Sequence, residues 1–309
     1  MKRCAFVMDP LEKLDLPWDT SLCLLRELSR LGHATFLFDP AWLSLVSYRV
    51  EGNGQQIFPL GKDRYRLGTR KRFRLADFDA VFIRKDPPFD SSYLALTYLM
   101  EPLARKTLVV NHPRGIRNAN EKLFGLDFPR WSPATIVSSD PSEILVFQER
   151  IQSDSVVKPL YEKGRKGVFR LRRSDRRNLN HLKRATRKGA ETVLAQKFIP
   201  VREGEGDKRI LLWKGRILGA FARIPKAGEF RSNLSLGAGF VRCEITQKEK
   251  RLVREISPAF LKEGLFFVGI DVRRGLLIEV NVTSPAGLVE LDQLYGGATE
   301  KLVRSIQRA

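Results

Sequence analysis

Short apolar runs alternate with amphipathic ones through the first third of the chain, an order that points to a parallel sheet with helices on its faces. Arg3–Met8 reads as a strand. Asp19 can cap a helix carrying Leu22, Leu25, Leu28 and Leu31, which Gly32 closes. Ala34–Phe38 and Ala80–Arg84 read as further strands, 93–103 as a helix and 107–110 as another strand, with 51–73 an excursion. Ligands of such sheets bind beyond the carboxyl ends of the strands, where Asp9, Arg84 and Asn111 stand. Past Asn111 the order changes to helix 121–128, strand 134–137, helix 143–152, strands 156–159 and 168–171, a basic helix 179–188 and strand 192–197, a small α+β unit. The remainder reads as strands 209–213 and 217–222, helix 247–263, a hairpin and a helix from Thr299.

That hairpin carries the most specific chemistry. Its strands, 265–270 and 276–282, turn at Arg273-Arg274-Gly275, and Asp271 and Glu279 lie equally far from Gly275. An antiparallel pairing sets the two carboxylates opposite each other, and strand alternation puts Glu279 and Asn281 on one face. Facing carboxylates in a buried place repel unless a cation or a proton joins them. Two carboxylates and an amide oxygen are hard ligands suited to Mg²⁺ carrying nucleotide phosphates. Pairing to arginines is the structural alternative; the metal reading is favoured.

Composition narrows the classes. The chain has 309 residues, 43% hydrophobic and 29% charged, as expected of a soluble, multi-domain globular protein. No apolar run is long enough to span a membrane, and the apolar stretch after Met1-Lys2-Arg3 ends too early for a signal peptide. Cys4, Cys23 and Cys243 lack metal-ligand spacing and fit a reducing cytoplasm. His33, His112 and His181 lie far apart, which argues against a zinc site or a histidine-dependent triad. The net charge is +20, and residues 158–190 hold 13 Lys/Arg against Glu162 and Asp175. Such a block suits nucleic acid, an anionic membrane, nucleotide phosphates or plain solvation. Only Tyr161 and Phe169 are aromatic there, which speaks against base stacking.

Lys158 ends an apolar strand before a turn containing Gly164 and Gly167, where an ammonium and backbone N–H groups can meet phosphates. Lys122 sits at an expected helix start, opposing the dipole unless an anion is present. The extended segment Gln196-Lys197-Phe198-Ile199 can offer backbone groups to an adenine edge and apolar side chains to its face; a plain linker reads equally well. Arg209, Arg223 and Arg231 emerge near strand ends and can grip carboxylates or phosphates in bidentate fashion. In Arg84-Lys85-Asp86-Pro87-Pro88-Phe89-Asp90 two prolines stiffen a strand exit.

These strings, with Val7-Met8-Asp9-Pro10, Asn120-Glu121-Lys122-Leu123-Phe124, Lys158-Pro159-Leu160, Gly206-Asp207-Lys208-Arg209, Ala222-Arg223-Ile224-Pro225 and Asn281-Val282-Thr283-Ser284-Pro285, resemble bacterial glutathione synthetase of the ATP-grasp superfamily. The resemblance implies an α/β N-terminal parallel-sheet substrate domain (1–119), a pre-ATP-grasp domain, followed by a two-part ATP-grasp α+β fold: a central lid (120–200) and a C-terminal catalytic domain (201–309). It implies ATP and Mg²⁺, with Mn²⁺ as the alternative ion, and Asp271, Glu279 and Asn281 as ligands. Lys122 and Lys158 would hold phosphates, 196–199 the adenine and Asp207 the ribose. Arg209 and Arg223 would flank the reacting carboxylate, and Arg84, Arg231 and Ser284 would hold the peptide. The implied reaction joins γ-glutamylcysteine and glycine in a cytoplasmic homo-oligomer, with neither membrane nor nucleic acid expected as a partner. The chain departs from the family pattern at 161–167, 236–241 and 286–288. A ligase for another carboxylate–amine pair, or a basic binding protein on this scaffold, are the alternatives.

Overall fold

The computed structural model describes residues 1–161, 167–200, 205–226 and 238–307. The first unit contains β1 (Arg3–Met8), α1 (Thr20–Arg30), β2 (Ala34–Phe38), β3 (Leu43–Val46), β4 (Arg49–Pro59), β5 (Tyr65–Leu67), β6 (Lys71–Arg74), β7 (Ala80–Arg84), α2 (Ser91–Met100), β8 (Leu108–Val110) and α3 (Pro113–Asn118). Its sheet runs β3-β4-β2-β1-β7-β8, with β5 and β6 attached to β4. β1 pairs in parallel with β2 and β7, and β7 with β8. β7 is buried throughout and β1 at all but its first residue, which is why both read as unbroken apolar runs. The excursion at 51–73 is the antiparallel group β4–β6. Helix α2 stops at Met100, short of the expected 103, and 101–105 continue as a 3-10 turn. Pro102 explains it, since a proline has no N–H with which to continue the α-helical ladder.

The central unit holds β9 (Thr135–Ser138), α4 (Pro141–Ile151), β10 (Ser155–Pro159), β11 (Phe169–Leu171), α5 (Asn178–Ala185) and β12 (Val193–Lys197), in an antiparallel sheet β11-β10-β12-β9. Ile144, Val157, Leu171, Leu182, Val193 and Ala195 form its core under α4 and α5. Strand alternation turns Val156, Lys158 and Gln196 to the other face. The helix expected over 121–128 is only a 3-10 turn, Phe124–Asp127. The carbonyls of Glu121 and Trp131 instead accept N–H bonds from Val280 and Leu277, at 2.9 and 2.7 Å. α5 ends before 188 because Arg187 and Lys188 adopt positive φ, 44° and 57°.

The third unit contains β13 (Asp207–Trp213), β14 (Arg216–Ile224), β15 (Gly239–Arg242), α6 (Gln247–Lys262), β16 (Phe267–Arg273), β17 (Leu276–Asn281), α7 (Leu288–Tyr295) and α8 (Ala298–Gln307). Its antiparallel sheet runs β15-β14-β13-β16-β17. α6 starts on a capping box, Thr246 with Glu249. The first and third units share their cores: Val7, Ile83 and Tyr93 belong to one buried cluster with Ile210, Val268 and Ile270. Leu22 and Leu25 of α1 share another with Leu302 and Val303 of α8. Asn111 is part of that joint. Its Nδ2 donates to the Phe267 and Val282 carbonyls at 2.6 and 2.8 Å, and its Oδ1 accepts from the Phe267 N–H at 2.7 Å.

Candidate active site

A cleft of about 410 Å³ opens between the central sheet and the third sheet. The β16–β17 hairpin supplies one wall. Its turn is Arg274-Gly275, both at positive φ (51° and 71°), as a two-residue type I′ connection requires. A regular ladder from that turn would pair Asp271 with Ile278 and send Glu279 to the core side. A bulge between Asp271 and Val272 absorbs Ile278, so Asp271 pairs with Glu279 and Gly269 with Asn281. The three expected ligands therefore share one face, and all line the cleft. The opposing pair expected from sequence is present, reached through a shorter turn and a bulge.

The same face continues across β13 and β14. Arg209 grips Asp271 bidentately, Nε to Oδ1 at 2.6 Å and Nη2 to Oδ2 at 3.1 Å. Arg223 Nη2 lies 2.9 Å from Asp271 Oδ1. Asp207 pairs with Arg273, and Arg223 reaches it at 3.9 Å. Three arginines and two aspartates thus interlock within one layer, so the arginine pairing weighed as the structural alternative exists for Asp271. Glu279 and Asn281 are only half-buried, and among the described residues neither hydrogen-bonds or ion-pairs with an arginine. These two oxygen donors open to the cleft, with Asp271 beside them, fit a hard divalent cation.

The opposite wall brings two buried lysines. Lys158 Nζ donates to Gln196 Oε1 at 3.0 Å, and Lys122 Nζ to the Leu160 carbonyl at 3.2 Å. In the segment expected to meet adenine, the Lys197 and Phe198 N–H groups donate to the Ala134 and Asp154 carbonyls, and the Ile199 carbonyl accepts from Arg273 Nη1. Its side chains still line the cleft. Ser284 lines it too, whereas Arg84 lies behind. Arg84 is buried, with Nε donating to Ser21 Oγ at 2.9 Å and Nη2 to the Pro285 carbonyl at 3.0 Å, so it props the loop that carries Ser284. Gly167 stands off the cleft at positive φ against Pro159. Gly164 and Arg231, like most of the turn 161–167, lie outside the described residues.

Sequence reasoning passed over two acids, the half-buried Glu121 and the buried Glu290. Glu121 Oε1 accepts from the Val282 N–H, the Thr283 N–H and Thr283 Oγ1, fixing the chain just after Asn281. Burial raises its pKa, and Glu279 adds to the rise. Its signal was the string Asn120-Glu121-Lys122, of which only the lysine was singled out. Glu290, in the first turn of α7, is also raised by burial, offset by its own N–H, Arg209 and Arg223. Nothing in its sequence surroundings marked it.

The family descriptions that match are Prokaryotic glutathione synthetase, N-terminal domain, over residues 2–117, and Prokaryotic glutathione synthetase, ATP-grasp domain, over residues 121–296. The chain belongs to the prokaryotic glutathione synthetase family. It is 38% identical over 306 residues to a glutathione synthetase of Nostoc sp. (strain PCC 7120), covering 95% of this chain and 94% of that protein. It is 36% identical over 299 residues to that of Brucella melitensis, covering 95% and 94%. Solved structures share the ATP-grasp fold. D-cycloserine synthetase DcsG superposes with a TM-score of 0.66 at 17% identity, over 98% of this chain and 99% of that one. The ATP-grasp ligase PsnB, complexed with minimal precursor, gives 0.65 at 16%, over 100% and 99%. The glutathione synthetase family works as ATP-dependent ligases with Mg²⁺, and this chain is a ligase of that type.

Proposed function

We propose that the chain joins γ-glutamylcysteine to glycine, with Asp271, Glu279 and Asn281 holding Mg²⁺ and the facing Lys122 and Lys158 holding ATP phosphates. The reading is carried by one observation: a bulged hairpin turns two carboxylates and an amide onto the cleft wall opposite two buried ammonium groups. A peptide carboxylate oxygen bonds to the γ-phosphorus as the bond to the ADP oxygen breaks. The glycine amine then attacks the acyl carbon, phosphate leaves and the nitrogen loses its proton. Arg209 and Arg223 neutralise charge building on the reacting carboxylate. Bound Mg²⁺ supplies Lewis-acid screening of the phosphate oxygens. Gln196–Ile199 pack the base, Asp207 meets the ribose from its arginine pair, and Ser284, propped by Arg84, meets the peptide with Arg231. Residues 1–119, 120–200 and 201–309 act as substrate domain, lid and catalytic domain of a cytoplasmic homo-oligomer.

Purified protein given ATP, Mg²⁺ and both substrates is expected to release ADP and form the tripeptide by mass spectrometry. ADP release indifferent to γ-glutamylcysteine would overturn this reading. The departures at 161–167 and 286–288 favour a second one, the same chemistry with another carboxylate–amine pair. Turnover on a different pair alone would select it.

A further inference from the structure

The ligase chemistry leaves the outer side of the central unit without a task, and that side holds the densest charge. Lys183, Arg184, Arg187 and Lys188 line one open groove of about 650 Å³ with Asn180. All four cations are exposed. Arg187 pairs with Glu191 at 2.9 Å. Lys183, Arg184 and Lys188 have no carboxylate partner among the described residues. Arg172 and Arg176, also exposed, extend the same charge toward β11. Like charges crowded around one concavity repel, a cost that a polyanion removes. The groove is also held by unusual backbone, since Arg187 and Lys188 take consecutive left-handed conformations that L-residues with long side chains rarely adopt.

The groove and the cleft lie on opposite sides of one sheet. Val157, Leu171 and Ala195 point to α4 and α5, while Val156, Lys158 and Gln196 point to the cleft. A molecule on α5 therefore does not contend for the nucleotide's place.

We propose that this groove is a docking surface for the phosphate backbone of double-stranded nucleic acid, read without regard to sequence. Guanidinium groups match phosphate oxygens bidentately, and lysines add point charge. Aromatic platforms, which single strands stack on, are absent from the groove, and nearby Phe169 is turned onto His181, with ring centroids 6.3 Å apart. A bilayer fits less well. Leu182 of α5 is buried, and only Leu179, 38% exposed, offers an apolar side chain outward. A duplex carries the closely spaced phosphates that several cations on one rim can meet together.

The test is fluorescence anisotropy of the full chain with a labelled mixed-sequence duplex of about 20 base pairs, titrated between roughly 50 and 200 mM salt. With three to four phosphates contacted, the log–log slope of affinity against salt is expected near about −3. Lys183→Glu/Arg184→Glu/Lys188→Glu is expected to lower affinity at least about tenfold at the low-salt end. It should leave ADP release unchanged, since none of the three faces the cleft, and should not lower Tm, since it relieves like-charge crowding. Arg184→Gln and Lys188→Gln, which remove the charge but keep a polar side chain, should each reduce the slope by about one. Equal duplex affinity of wild type and the triple variant would overturn the proposal. So would tighter binding to polyglutamate or to phosphatidylserine vesicles than to the duplex.

Discussion

At the residue scale, the layer around Asp271 separates structural charge from ligand charge. Asp271→Asn would strand two buried arginines, and breaking such a pair costs about 3–5 kcal/mol, so lost activity there would mix two effects. Glu279→Gln is the cleaner probe, being half-buried, in the same layer and bound to neither arginine. It is expected to raise the Mg²⁺ concentration for half-maximal turnover about 10- to 100-fold with little change in Tm. An unchanged Mg²⁺ requirement would remove Glu279 from the metal. Glu290 offers a pH test. Its Oε2 has no hydrogen-bond partner among the described residues. Burial raises its pKa above the unfolded value, so its charged form opposes folding and stability falls as pH rises through the folded pKa. Glu290→Gln is therefore expected to melt above wild type at pH 8, with the gap closing toward pH 5; a gap that does not narrow contradicts this. That Asp271, Glu279 and Asn281 share a face was legible only in part: the glycine-marked turn is a local fact, whereas the bulge that sets Glu279 opposite Asp271 is not. Glu121 and Glu290 were not legible, because each matters through neighbours more than 60 positions away.

At the element scale, the arginine–aspartate layer depends on how closely β13 approaches β14. Gly206 precedes β13, and a Cβ there would sit 1.8 Å from the Arg223 carbonyl oxygen. Gly206→Ala is expected to push apart the Asp207–Arg223 end of the ladder, lowering both turnover and Tm. Gly239→Ala, on β15 with nothing within 4 Å among the described residues, serves as the control and should be near neutral. Equal behaviour of the two variants would mean that the close approach does not set the site. Most strands were readable because their apolar runs are buried on both faces or alternate cleanly. Elements that long-range contacts create were not: α7 begins where Thr20 Oγ1 of α1 accepts from the Gly287 N–H at 3.1 Å. The expected helix at 121–128 failed for the converse reason, the Glu121 carbonyl at its start being taken by Val280 of β17.

At the scale of the whole molecule, the distribution of core predicts how the chain comes apart. The first and third units bury their apolar side chains in common clusters, whereas the central unit rests on Ile144, Val157, Leu171, Leu182, Val193 and Ala195. A core that small supplies little stability by itself, and regions with few buried contacts open first. Calorimetry is expected to show a lower transition from the central unit and a higher one from the joined pair. Val157→Ala, deleting a side chain with 0% exposure, should lower only the first, by about 1–3 kcal/mol in stability. A non-hydrolysed ATP analogue with Mg²⁺ touches Lys158 and Gln196 on one wall and Glu279 and Asn281 on the other, if the proposed site is right. Saturating it at about 100 times its Kd should add about 2.7 kcal/mol and raise the lower transition toward the upper. The basic groove on α5 faces away from that contact, so the triple charge reversal should leave the nucleotide-induced shift intact. One transition, moved as a whole by Val157→Ala, would show instead that the lid melts with the body and that the small core draws its stability across the cleft.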